Sequence, residues 1–196
     1  MSSKKFLGAG LTAACLAGLA LVGCSPKPAV DAPSPPVASA LKPVASVIDL
    51  MALIDPAADF LWESVATIST EKGIEERHPR TDAEWAEVRL KALMVIEGAN
   101  LLAVDGRRVA HPGQKLSEAG GEGDFTPEQS QAAVDADRGT FVAYAEAMRG
   151  AAELMLAAIE KRDTDGMLEQ GGLLDETCEA CHRKYWYPNS PLPPGA

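Results

Sequence analysis

The sequence predicts an all-α protein, an antiparallel four-helix bundle. Three observations lead there. Apolar residues recur at helical spacing in four separate stretches. Two of those stretches open on Thr-Asp-Ala-Glu and Thr-Pro-Glu-Gln, both start signals for a helix. No stretch shows the apolar–polar alternation of a half-buried strand.

The chain opens on an export signal. Lys4 and Lys5 form a basic end, and residues 6–22 are apolar and rich in Ala, Gly and Leu. The run is barely long enough to span a bilayer, so an uncleaved membrane helix is the weaker reading. It ends at Leu21-Val22-Gly23-Cys24, which resembles the lipobox of bacterial lipoproteins. The resemblance implies cleavage before Cys24, lipidation of Cys24 and a membrane anchor there. Ser25 in place of Asp after that cysteine points, by the same resemblance, to the outer membrane. An ordinary cleaved signal peptide is the alternative. Residues 24–43 are Pro, Ala, Ser and Val with little else. Pro26, Pro28, Pro33, Pro35, Pro36 and Pro43 exclude helix and core, so this segment reads as a semi-extended tether. The expected organisation is a signal peptide over 1–23, a lipidated tether over 24–43, a helical domain over 44–188 and a disordered tail over 189–196.

Within the domain the first apolar run is Val47-Ile48-Asp49-Leu50-Met51-Ala52-Leu53-Ile54. Asp55-Pro56 then reads as a cap with proline at the first helical position. The first region is therefore expected in two pieces, a short one carrying Met51 and a longer one carrying Trp62. Gly73 and the polar run to Arg80 read as a connection. The second helix carries Trp85, Val88, Ala92, Val95, Ile96, Ala99 and Leu102 behind a capping box at Thr81 and Glu84. Residues 105–124 hold Gly106, Gly113, Gly120, Gly121 and Gly123, a loop too long for a tight turn. The third helix opens at Thr126-Pro127 and runs to about Arg162, with Phe141, Tyr144, Met148 and Met155 on one face. The fourth begins at Thr164 or Asp165 and carries Leu174, Cys178, Cys181, His182 and Tyr185 before Pro188 ends it.

The last helix holds the chemistry. Cys178-Glu179-Ala180-Cys181-His182 is a C-x-x-C-H run, the pattern of c-type haem attachment. Two thiols can add across two vinyl groups, and the adjacent imidazole can bind the iron as proximal ligand. On a helix the three side chains stand at i, i+3 and i+4 and share one face. A thioredoxin-like pair needs a βαβ setting that the sequence lacks. A structural zinc site wants four ligands, and the other two cysteines, Cys15 and Cys24, lie in the leader. C-x-x-C-H is short enough to arise by chance; its coincidence with an export signal argues against that.

Composition narrows the partners. The formal charge is −10, and losing the leader removes two lysines and makes the chain more acidic still. Nucleic-acid binding needs clustered Lys and Arg and is not expected, nor is docking on anionic lipid by charge. An acidic surface can steer a basic redox partner, although it also reads as plain solvation. No carboxylate pair, nucleophile–base pair or phosphate loop suggests an enzyme.

With the motif on the last helix and helices before it, residues 44–187 resemble class II cytochrome c, the cytochrome c-prime family, here as a lipoprotein. The resemblance implies an antiparallel bundle with one covalent haem c on the C-terminal helix. By motif, Cys178 and Cys181 are the attachments and His182 the proximal ligand. In that family the distal residue comes from the first helix. A methionine there gives a six-coordinate electron carrier, and an apolar residue leaves iron open to nitric oxide or carbon monoxide. Met51 is the methionine of the first helical region and the expected distal ligand; core filling is its other reading. His78 and His111, in polar connections, read as surface residues. Trp62 and Trp85 could wall the haem edge or sit in the core. Arg107, Arg108 or Lys115 could pair with propionates, although each reads first as a solvated loop charge. Tyr185, Trp186 and Tyr187 read either as packing under the haem edge or as a bulky helix end. The family often dimerises through its first helices, so a homodimer is an expectation too.

The leading functional expectation is a tethered monohaem cytochrome that passes single electrons between partner proteins of the periplasmic space. The first alternative is a five-coordinate haem protein that binds nitric oxide or carbon monoxide. The second is a haem-free structural lipoprotein whose two thiols pair.

Overall fold

The protein is mostly helical, with five helices and one small hairpin among the described residues. The computed structural model describes residues 42–116 and 123–190. The leader, Cys24, the tether as far as residue 41 and the tail from residue 191 lie outside the described residues. The described residues belong to one unit, Ser39–Ala196. None of their helices is long and apolar enough to cross a membrane.

Helix α1, Val47–Ser64, opens on a capping box. Ser46 Oγ accepts from Asp49 N at 3.1 Å, and the Asp49 carboxylate accepts from Ser46 N at 2.8 Å. The expected break at Asp55-Pro56 does not occur: α1 is continuous and Pro56 lies inside it. An internal proline removes one N–H and crowds the carbonyl four residues back, at a cost of about 3 kcal/mol. Leu50 and Ile54 before it, and Ala57, Ala58 and Leu61 after it, are all buried. Burial of a large aliphatic side chain stabilises by roughly 1.5–3 kcal/mol, so three of them outweigh the proline.

The sequence showed no strand, yet β1, Ala66–Thr70, pairs antiparallel with β2, Gly73–Arg77. No alternation betrays it because it covers no core: every residue of β2 is exposed. Local chemistry makes the hairpin instead. Thr67, Ile68 and Thr70 favour extended backbone. Gly73 takes φ 122°, a value that disfavours any side chain. Thr70 Oγ1 donates to the Gly73 carbonyl at 2.8 Å and accepts from Lys72 N at 3.2 Å.

Helix α2, Asp82–Leu102, starts on the predicted Thr81–Glu84 box. Its C-terminal carbonyls are met by two arginines from elsewhere. Arg107 donates to Leu101 O at 2.7 Å and also to Ala45 O, and Arg138 donates to Ala103 O and Val104 O at 2.9 and 3.0 Å. A helix end carries orphan acceptors and partial negative charge, which is why cations settle there. Arg107 is therefore a buried staple and not the solvated loop charge its setting suggested.

The stretch read as one third helix is two: α3, Pro127–Ala136, and α4, Arg138–Lys161. The break is Asp137, at φ −144° and ψ 59°. Its carboxylate accepts from Thr140 N at 3.3 Å to start α4 and from Lys184 Nζ at 2.7 Å. Its carbonyl accepts from Tyr185 Oη at 3.2 Å. These partners, distant in sequence, offset the lost helix continuity. Helix α5, Thr164–Tyr185, follows an Asp163 cap.

The four long helices α1, α2, α4 and α5 share one core. Ile54 of α1 rests on Gly98 of α2, where a Cβ would lie 2.5 Å from Ile54 Cγ1. Arg162 past the end of α4 pairs with Asp82 at the start of α2. Trp62, late in α1, donates to Gly171 O of α5 at 3.0 Å. Start meets end in the α2–α4 and α4–α5 pairs, so those helices run in opposite directions.

Candidate functional site

A cleft of about 500 Å³ opens between α1 and α5, with α3 and α4 behind it. That volume lies within the range of small-molecule and cofactor sites. Met51 and Asp55 line it from α1, one turn apart. Cys178, Cys181 and His182 line it from α5, on the one face their spacing requires. Val134, Phe141, Tyr144 and Met148 give it an apolar back wall. The structure thus brings together four residues that the sequence singled out, Met51 among them.

The surroundings set the state of each group. Cys178 and Cys181 are unpaired and half-buried. Burial pushes both thiols up to about 12; Asp55 and Asp175 add to this at Cys178, and the Cys178 charge does so at Cys181. They are protonated thiols at neutral pH, unlike the low-pKa thiolate of a redox-active C-x-x-C pair. Burial holds the His182 imidazole below its ordinary value, against an opposing pull from Glu179. A neutral imidazole is the metal-binding form. On the facing helix, desolvation and then Asp59 raise the Asp55 carboxyl.

His182 is held from behind. Trp186 meets its ring edge-on at 5.2 Å and Tyr187 lies at 6.0 Å. Both residues donate backbone N–H to the His182 carbonyl, at 2.8 and 3.0 Å. Tyr187 Oη donates to Glu179, which also pairs with Arg183 at 2.6 Å. The aromatic run after the motif ends α5, and Tyr185 and Trp186 line the cleft.

Other candidates fall elsewhere. Trp62 borders a separate hollow between α1 and α5, and Trp85 is buried at the start of α2. Neither walls the cleft. His78 bonds its neighbour's carbonyl, Pro79 O, and His111 faces Asp49 and Val44 O. Arg108 is exposed away from the cleft, whereas Lys115 is on its lining. Of two further lining residues, Ser130 escaped the sequence reading and Trp186 was read only for its bulk. Ser130 Oγ and Trp186 Nε1 are buried with no hydrogen-bond partner among the described residues. Nothing in a helical polar position such as Ser130 announces that tertiary packing will strand it.

These features fit a largely apolar group that carries acceptors. Two thiols and an imidazole come from α5, a thioether comes from α1, and two orphaned donors are buried in the lining. Among the described residues no cluster of three or more His, Cys, Asp or Glu converges to hold a bare metal ion.

Compared with family models, curated proteins and solved structures, the chain matches none.

Proposed function

We propose that the protein is a monohaem c-type cytochrome of the bacterial cell envelope that transfers single electrons. One observation carries this reading: two unpaired thiols, His182 and Met51 line the same apolar cleft from facing helices. On this reading α1, α2, α4 and α5 form an antiparallel four-helix bundle of cytochrome c-prime type, with haem lying on α5. Cys178 and Cys181 hold the cofactor covalently, His182 is its proximal ligand and Met51 its distal one. The bound group supplies the one-electron couple. Trp186 and Tyr187 pack against the His182 ring and orient it, and Met51 of α1 would supply a thioether to the iron. Thioether ligation favours the reduced iron and raises the potential.

The membrane arrangement is part of the proposal. Cys24 is the lipidated residue, residues 24–43 are the tether, and the domain stands in the periplasmic space on the outer membrane. Cys24→Ser then releases the protein into the soluble envelope fraction or stalls its processing.

The deciding experiment is haem staining after denaturing electrophoresis, with absorption spectra of the oxidised and reduced protein. Wild type should stain. Cys178→Ala with Cys181→Ala should not, because no thioether remains to survive denaturation. Unchanged staining in that variant would falsify the attachment sites. Absence of haem in wild type returns the haem-free lipoprotein.

A further inference from the structure

We propose that the buried ends of Ser130 and Trp186, with Lys115 at the rim, form a carboxylate-binding end of the cleft that anchors the haem propionates. This rests on the haem reading above and names residues for a part of the ligand that the C-x-x-C-H motif does not address.

Ser130 and Trp186 are the only described residues with a buried side-chain polar atom that lacks a partner, and both line the cleft. Ser130 is 2 % exposed, so bulk solvent does not satisfy it. An unpaired buried polar group forfeits its hydration with no bond in return. Indole Nε1–H is a donor only, and a serine hydroxyl can donate as well. Two donors without acceptors call for an acceptor supplied from the cleft.

The backbone brings the two groups to one end. Phe125 N donates to the Trp186 carbonyl at 2.7 Å, which ties the start of α3 to the end of α5. Ser130 lies one turn further along α3, its N–H bonded to Thr126 O at 2.9 Å. Val109 N donates to Gln131 Oε1 at 2.8 Å and fixes the 105–116 loop against the same helix. That loop carries Lys115, the only Lys or Arg among the described lining residues. A cation with two desolvated donors is a recognition set for an anion. Asp55, the acidic lining residue, belongs to α1 and not to this group. A haem carries carboxylates on the edge away from its vinyl-derived attachments. Cysteines at one edge and donors at another then fix its rotation in the cleft.

The test is resonance Raman spectroscopy of the full-length holoprotein, read at the propionate bending modes, which rise in frequency when the carboxylate is hydrogen-bonded. Trp186→Phe keeps the ring and removes the N–H, and Ser130→Ala removes one oxygen. Each should lower the band, and the double variant should lower it further. Arg108→Ala, outside the cleft, should leave it in place. The spin- and coordination-state marker bands should stay constant in Ser130→Ala, separating loss of this bond from general loosening. Ser130→Ala also keeps the question open to measurement should Trp186→Phe not fold. A wild type that stains for haem but whose propionate band is unmoved in Ser130→Ala and in any folded Trp186→Phe overturns the carboxylate assignment alone. A wild type without covalent haem overturns the proposed function, and this assignment with it.

Discussion

Met51 decides between the two haem chemistries. It sits half-buried on the face of α1 that lines the cleft, one turn before Asp55. Methionine is also a common core filler because its chain is flexible and its sulfur polarisable. Sequence alone could not separate the two roles, since both ask only for a methionine on an apolar face. If Met51 is the ligand, the oxidised protein is low-spin with a weak red sulfur-to-iron band. Met51→Ala should then turn it high-spin and open the reduced iron to carbon monoxide. A wild type already high-spin, with carbon monoxide binding unchanged in the variant, makes Met51 a core residue and favours gas binding. Ser46 is a second single-residue lever. Its hydroxyl caps α1 and lies 2.9 Å from both Asp49 Oδ2 and Gln114 Oε1, two acceptors that share its one proton, while Gln114 Nε2 donates to Asp49 at 2.6 Å. Ser46→Ala should cost about 1–2 kcal/mol, the upper range for a lost cap, read as a lower urea midpoint with unchanged slope.

At the scale of elements, α1 and α2 make opposite predictions. Pro56 weakens α1 from inside, and an internal proline costs about 3 kcal/mol. Part of that is returned by the stiffer unfolded chain. Pro56→Ala should therefore raise stability by about 1–2 kcal/mol in urea unfolding. A lower midpoint would show that the proline's local geometry is required by the packing around it. In α2 the Glu84 carboxylate accepts from Arg80 N and Thr81 N, at 2.7 and 2.8 Å. These bonds hold its pKa below the ordinary carboxylate value. A group lowered on folding contributes stability above its unfolded pKa and loses it as pH falls through the folded one. Wild type should thus melt higher than Glu84→Ala at pH 7, and the gap should close as pH drops below the unfolded value near 4.5. A gap that persists at pH 2 means the side chain acts by packing.

For the whole molecule the governing quantity is charge. At −10 over the full sequence, the protein repels acidic partners and attracts basic ones at a distance. Electron exchange with a cationic redox protein should slow as ionic strength rises, because the Debye length shrinks from about 30 Å at 0.01 M to about 8 Å at 0.15 M. Stopped-flow rates independent of salt would mean that the acidic surface serves solubility alone.

What the sequence determined by itself is what local chemistry controls. Thr81 and Thr126 with their partners three residues on fix two helix starts as read, because the capping bonds are made within one turn. Ser46 fixes a third in the same way, where the sequence had suggested a cap at Asp55. The shared face of Cys178, Cys181 and His182 follows from helical spacing alone. What only the tertiary structure decided depends on groups far apart in the chain. Pro56 stays helical because side chains of α2 and α5 cover the apolar face on both sides of it. Asp137 breaks a helix because Lys184 and Tyr185 bind it from α5. Arg107 turns inward because Ala45 and Leu101 offer carbonyls from two separate segments. Ser130 and Trp186 lose their partners by the same route, since packing removes water from them and supplies no acceptor in return. A window of sequence holds its own hydrogen bonds; it does not hold the neighbours that exclude solvent, and those neighbours shaped the cleft.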